Sequence, residues 1–157
     1  MTFKVYHSQY NSNSLTGQVG GSIGSSLLSG YLSELFYHVD APPSGTTNTF
    51  YQYRKVFIKN TYSTTSDQTK VWLDALEHPE QISIALSASM SDSSSTPTGQ
   101  PSNVTGWLNP TTYSTGLAIG TLTPNAYTGI WIRETLSGIS TADPYSSFRL
   151  VVGGITS

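Results

Sequence analysis

Apolar and polar positions alternate along most of the chain with a period of two, the mark of half-buried β-strands. The clearest case is "QISIALSA" (81–88), with Ile82, Ile84 and Leu86 on one face and Ser83, Ala85 and Ser87 on the other. "YQYRKVFIKN" (51–60) and "TKVWLDAL" (69–76) read the same way, joined by the polar turn "TYSTTSDQ". Further on, "GLAIGTL", "YTGIWIRETL" and "SSFRLVVGG" are three more strands, the last with Phe148, Leu150 and Val152 on one face. "TPNAY" between the first two is a turn built on Pro and Asn. "LSELFYHV" (32–39) fits either a strand or one helical turn ending before Pro42-Pro43. No stretch of a dozen residues carries a helical period. The pattern predicts an all-β domain over residues 31–157, an antiparallel β-sandwich of jelly-roll or immunoglobulin-like type with about 7–8 strands.

Residues 1–30 differ. "TFKVY" is a possible short strand, but "NSNSLTGQVGGSIGSSLLSG" mixes Gly and Ser with isolated Leu15, Val19, Ile23, Leu27 and Leu28. Gly is permissive and Ser competes for backbone hydrogen bonds, so an extended or flexible arm is expected. The aliphatic side chains imply that it docks, on its own subunit or on a neighbour. A second irregular stretch, "SMSDSSSTPTGQPSN", reads as a long low-complexity loop.

The strand period exposes an anomaly. In 51–60, Val56 and Ile58 share a face with Arg54, while Phe57 lies opposite, between Lys55 and Lys59. Trp72 likewise opposes Val71 and Leu73, and Trp131, sharing a face with Arg133, opposes Ile130 and Ile132. Two readings remain open: one sheet is covered on both faces, or the aromatic faces form a subunit contact, where aromatics and Arg are enriched. On the second reading the interface residues are Phe57, Trp72, Trp131 and Arg133, with Lys55 and Lys59 as rim, and with Leu15, Val19 and Ile23 from the arm.

Composition removes several functions. Charged residues are 10% of the 157, against the usual quarter, while Ser and Thr number 46. A net charge of −2 with seven basic residues, three of them within 51–60, argues against nucleic-acid binding. No apolar run suits a membrane span, the first fourteen residues carry no signal-like apolar core, and there is no cysteine. Synthesis in a cytoplasm is expected. His7, His38 and His78 stand in separate segments with no metal-ligand spacing, and Glu77 and Glu80 around His78 read as a polar turn. The serines lack a nucleophile elbow, "GGSIG" lacks the lysine of a phosphate loop, and "NVT" at Asn103 is a chance-frequency acceptor. No catalysis, cofactor or metal is expected.

Five segments, "SGYLSELFYHV", "YQYRKVFIKNTY", "KVWLDALEHPEQISIAL", "YSTGLAIGTLTPNAYTGIWIRETL" and "YSSFRLVVGG", together resemble a family of small structural proteins of tailed bacteriophages. In that family a "YRK-aliphatic-aromatic-aliphatic-KN" strand precedes one ending "ISIAL", then a "LG-x-L-x-P" turn, a "WIRRT"-like strand and a closing "F-x-L-x-V-x-G". The resemblance covers 29–154, with Glu134 standing where a second basic residue is common. It implies a non-enzymatic virion protein made in the host cytoplasm. The expected role is a capsid cement or decoration protein that binds across subunits of the major capsid protein and oligomerises within the particle. A neck, tail or baseplate component fits the same segments. Rival classes are a carbohydrate-binding module, given three Trp and ten Tyr, and a jelly-roll hydrolase.

Overall fold

A computed structural model of the chain describes residues 2–11, 17–28, 35–36, 49–74, 81–97, 100–137 and 148–156. Leu15, His38, the Pro42-Pro43 turn and the Glu77-His78-Glu80 cluster lie outside them. Among the described residues there are nine strands: β1 (Phe3–Asn11), β2 (Gln18–Leu27), β3 (Thr49–Asn60), β4 (Ser66–Asp74), β5 (Ile82–Leu86), β6 (Ser95–Pro97), β7 (Leu117–Leu122), β8 (Tyr127–Ser137) and β9 (Arg149–Thr156). They form a six-stranded sheet, β5-β8-β3-β1-β2-β6, and a three-stranded sheet, β7-β4-β9. Every pairing between strands is antiparallel.

The sheets meet on the aliphatic faces predicted by the period of two. Val56 and Ile58 of β3, Ile82 and Ile84 of β5, and Ile130 and Ile132 of β8 pack with Val71 and Leu73 of β4, Leu117 of β7 and Phe148 in one buried cluster. Leu35 and Phe36, in a short 3-10 turn, join the same core. Each fully buried aliphatic side chain contributes about 1.5–3 kcal/mol. The spine is the β3–β8 pair, in unbroken register from Thr49↔Ser137 to Lys59↔Tyr127.

Asn60 fixes one corner where the chain changes sheet. Fully buried, it donates through Nδ2 to the carbonyls of Thr64 and Leu122 and accepts from the Tyr62 amide. Its own backbone pairs with Asn125 and Ala126 in the predicted "TPNAY" turn. There Asn125 takes φ 65°, a left-handed conformation that Asn tolerates.

The expected N-terminal arm is instead part of the larger sheet. β1 pairs with β3 from Phe3↔Asn60 to His7↔Val56, and β2 pairs with β1 across two register shifts. The glycines that suggested irregularity serve a strand that must fold over sharply: Gly20 and Gly21 have φ of 95° and 83°. Such values are cheap only for Gly. They carry the β2–β6 flank over the sheet's own outer face. The low-complexity loop likewise contributes β6.

Two ionisable side chains, Arg54 and Glu134, lie on the inner face of the larger sheet. Arg54 donates from Nε to the Leu35 carbonyl (2.7 Å) and from Nη1 to that of Tyr53 (2.8 Å), with its guanidinium over the Phe36 ring. Glu134 shares this inner face and is 6% exposed, and its Oε2 has no hydrogen-bond partner. Burial pushes its carboxyl up to about 7, against the pull of Arg54. A carboxyl raised in the fold binds a proton that the unfolded chain, with a pKa near 4.5, releases. Stability should therefore fall as pH rises from about 4.5 to 7, by roughly 3 kcal/mol. Glu134→Gln should remove this slope in urea unfolding between pH 5 and 8, and should be the more stable protein at pH 8. A wild-type stability flat across that range would show that Glu134 stays ionised in the fold.

Candidate interaction surfaces

The outer face of the larger sheet is closed by the chain itself. Phe57 and Trp131 are fully buried, and Lys55 is 1% exposed. Val19, Tyr53, Ala85, Val104 and Trp131 form a second core, with Trp107 against it. Its lid is the curled flank: the Gly20 Cα lies so close to Trp131 and to the Ser94 carbonyl that a Cβ would stand 2.8 Å from each. The expectation that Phe57, Lys55 and Trp131 face a partner is thus corrected in favour of a sheet covered on both faces. Val19 belongs to the same lid, and Ile23 is half-buried on β2.

Within this second core Lys55 is a donor rather than a rim residue. Its Nζ reaches the carbonyls of Asp92 (2.7 Å), Gly21 (3.3 Å) and Ser94 (3.3 Å), and the Asp92 Oδ2 at 3.0 Å. The ammonium also stands 5.1 Å from the Phe57 ring centroid and 5.4 Å from that of Trp131. The aromatic flanked by lysines is therefore one wall of a cation cage. Gly129 makes room for the stem, since a Cβ there would lie 2.9 Å from Lys55 Cε. Burial lowers the Lys55 pKa, opposed by the hydrogen bond and charge of Asp92. Asp92 itself is held well below the usual carboxylate range. Its own desolvation acts the other way, but bonds from Ser94, Lys55 and Ser87 outweigh it.

Sequence reading missed Asp92, Gly20, Gly21 and Gly129. One signal was available: a lysine predicted between aromatic side chains on a strand needs an acid, and Asp92 is the lone acid of the serine-rich loop.

Arg133 is half-buried, its guanidinium 4.8 Å from the Trp107 ring and 5.4 Å from that of Tyr51, with one bond to Ser83 Oγ. Tyr53 continues the stack onto Trp107. Tyr51 is the solvent end of this ladder, 48% exposed. Lys59 is half-buried opposite Tyr127.

Trp72 differs from the other two large aromatics. It lies on the outer face of the three-stranded sheet, half-buried, and packs edge-on against Tyr113 at 87° and 5.8 Å. Strand register places Val151 beside Trp72 and Gly153 beside Lys70, so Ile155 shares their face. Ile155 is 53% exposed. The Lys70 ammonium sits over the Tyr113 ring, whose hydroxyl donates to the Gln68 carbonyl. An Arg149–Asp74 ion pair borders the patch at one end, and hydrogen-bonded Thr112, Ser114 and Thr115 border it near Tyr113. An apolar, aromatic centre with a polar rim is the anatomy of a protein interface.

Among the described residues no group of three His, Asp or Glu is placed to hold a metal ion. The cage is instead a stability element, and its removal is measurable. Lys55→Met leaves Asp92 without its cation and should cost about 3–5 kcal/mol in urea unfolding at pH 7. Lys55→Met with Asp92→Asn should recover part of that loss, because the uncompensated charge goes too. A single-variant loss no larger than an exposed ion pair gives would show that the cage is solvated.

Compared with known proteins, the chain matches no family model, no curated protein and no solved structure.

Proposed function

We propose that the chain is a non-enzymatic structural protein of a tailed-bacteriophage particle, acting as a capsid cement protein that binds across subunits of the major capsid protein. Two kinds of support meet here. The order and spacing of the five segments resemble small phage structural proteins, and all the strands that carry those motifs and lie within the described residues are structural elements rather than site loops.

The observation that carries the reading is the Trp72 patch. It joins a half-buried Trp, an exposed Tyr and an exposed Ile on a sheet face whose Lys70 sits over the Tyr113 ring and whose Arg149 pairs with Asp74, while Phe57 and Trp131 of the other sheet are enclosed. Such a face gains by burial against another protein. The edge-on Trp72–Tyr113 packing offers no single flat platform for a sugar ring, which favours a protein partner over a carbohydrate. Its surroundings are rich in hydroxyls and its charges already have partners, Arg149 with Asp74 and Lys70 with the Tyr113 ring, which suits a long-lived contact better than an electrostatically steered one.

Quantitative mass spectrometry of purified particles tests the assignment. A copy number comparable with that of the major capsid protein is expected; a few copies per particle would move the protein to the neck, tail or baseplate. Absence from particles would sink both. In re-addition to particles stripped of it, Trp72→Ala should weaken binding by roughly thirtyfold or more, the scale of an interface hot spot. Unchanged binding by a folded Trp72→Ala would remove this patch from the interface.

A further inference from the structure

We infer that Arg133 receives an acidic side chain, Asp or Glu, of a protein partner that docks on the outer face of the larger sheet. The distribution of charge points there. Of the seven basic side chains, four have partners inside the fold. Arg54 donates to two carbonyls, Lys55 pairs with Asp92, Lys70 lies over the Tyr113 ring, and Arg149 pairs with Asp74. Among the described residues no acid pairs with Lys4, Lys59 or Arg133. All three lie on one face: Lys59 shares the parity of Phe57 on β3, Lys4 stands opposite Lys59, and Arg133 stands opposite Tyr53. The four described acids are placed elsewhere or spent. Asp74 and Asp92 are in the ion pairs, Glu134 is on the inner face, and Asp67 accepts from Thr121 on the smaller sheet. A chain of net charge −2 thus carries its unmatched cations on one side.

Arg133 is the one of the three held in a built setting. Its guanidinium lies 4.8 Å from the Trp107 ring centroid and 5.4 Å from that of Tyr51. Trp107 is fixed there by its neighbours: Leu108 exchanges two backbone hydrogen bonds with Ile84, and Asn109 donates to the Ile82 carbonyl. The rings orient the guanidinium but leave its donors almost unused. Of the five N–H donors an arginine carries, one reaches a described acceptor, Ser83 Oγ at 3.3 Å. Nε is enclosed without an acceptor, so the donors open to a ligand are those of Nη1 and Nη2. A preordered, stacked guanidinium loses little freedom when it takes up a carboxylate.

The surroundings choose the occupant. One guanidinium stands alone at this end of the face, with Lys4 and Lys59 about 20 Å away along β3. A single negative charge fits it better than a phosphate dianion. A sugar needs a free aromatic face, and the Trp107 ring is engaged by Arg133 and by Tyr53. Tyr51, 48% exposed, remains as an apolar contact beside the charge, and Tyr, Trp and Arg together make the commonest interface anchor. Lys4 and Lys59 face each other as like charges and draw the same acidic surface toward this side. The site lies on the other sheet from the Trp72 patch and is independent of what that patch binds.

The probe is an acetylated, amidated decapeptide of alternating Glu and Ala, titrated into the full chain by NMR. Expected are saturable shifts of the Trp107 indole N–H and of Tyr51, Ser83 and Arg133, with none at Trp72, weakening as salt rises. The same peptide with Gln for Glu should not bind. Arg133→Gln, with its fold checked by an unchanged Trp131 indole signal, should bind about tenfold or more weakly. Tyr51→Glu, at an exposed position, places a carboxylate beside the guanidinium in cis and should block the peptide while the fold stays intact. Peptide binding that ignores either substitution, or no binding at millimolar peptide, overturns the proposal. Glucuronate or inorganic phosphate binding as tightly as the peptide also overturns it, in favour of an acidic sugar or a simple anion site. Absence from phage particles would defeat the cement reading and leave this one standing.

Discussion

A single ammonium group organises the outer half of this protein. Lys55 sits on the central strand, where water would ordinarily hydrate it, and its cost of desolvation is large unless every donor finds an acceptor. The acceptors come from two distant places: Gly21, on the N-terminal hairpin, and Asp92 with Ser94, in the serine-rich loop. Satisfying Lys55 thus requires the sheet to curl until β2 and the loop meet above it. Two left-handed glycines permit the curl, Gly129 admits the stem, and Phe57 and Trp131 supply the walls. The charge adds to an apolar reason for these segments to converge, since Val19 packs there with Tyr53, Ala85, Val104 and Trp131.

This arrangement changes what an aromatic on the polar face of a strand means. Trp131 and Trp72 present the same pattern, each opposite a buried aliphatic pair, and the sequence cannot tell them apart. The difference is made by residues far away. Trp131 has the hairpin over it, because Gly20 can approach within van der Waals contact; Trp72 has Tyr113 and Gly153 against it among the described residues and is half-buried. Tyr113 and Ile155 are the exposed side chains beside Trp72, while Tyr51 ends the ladder on the other sheet in solvent.

The elements with strict alternation were legible in the sequence, since burial on one face dictates period two for β3, β4, β5, β7, β8 and β9. The N-terminal hairpin was not. β1 has a bulged partner, and β2 derives its strand character from pairing with β1 and β6 rather than from its own Gly- and Ser-rich composition. β-propensity is largely a property of context, and this context lies fifty residues away along β3. The candidate site was half legible. Phe57, Trp72, Trp131 and Arg133 were found by face parity, but the pairing of Lys55 with Asp92 depends on tertiary closure, and Tyr113 reaches Trp72 from a loop with no periodicity at all.

The two cores also differ in kind. The inner one is mainly aliphatic, with Phe36 and Phe148, and there volume-conserving exchanges are tolerated best. The outer one is polar and aromatic, and each member is held by a particular partner: Lys55 by Asp92, Arg133 by Tyr51 and Trp107, Gly20 by Trp131. The inner core therefore supplies most of the apolar burial, while the outer core fixes where the curled flank lies.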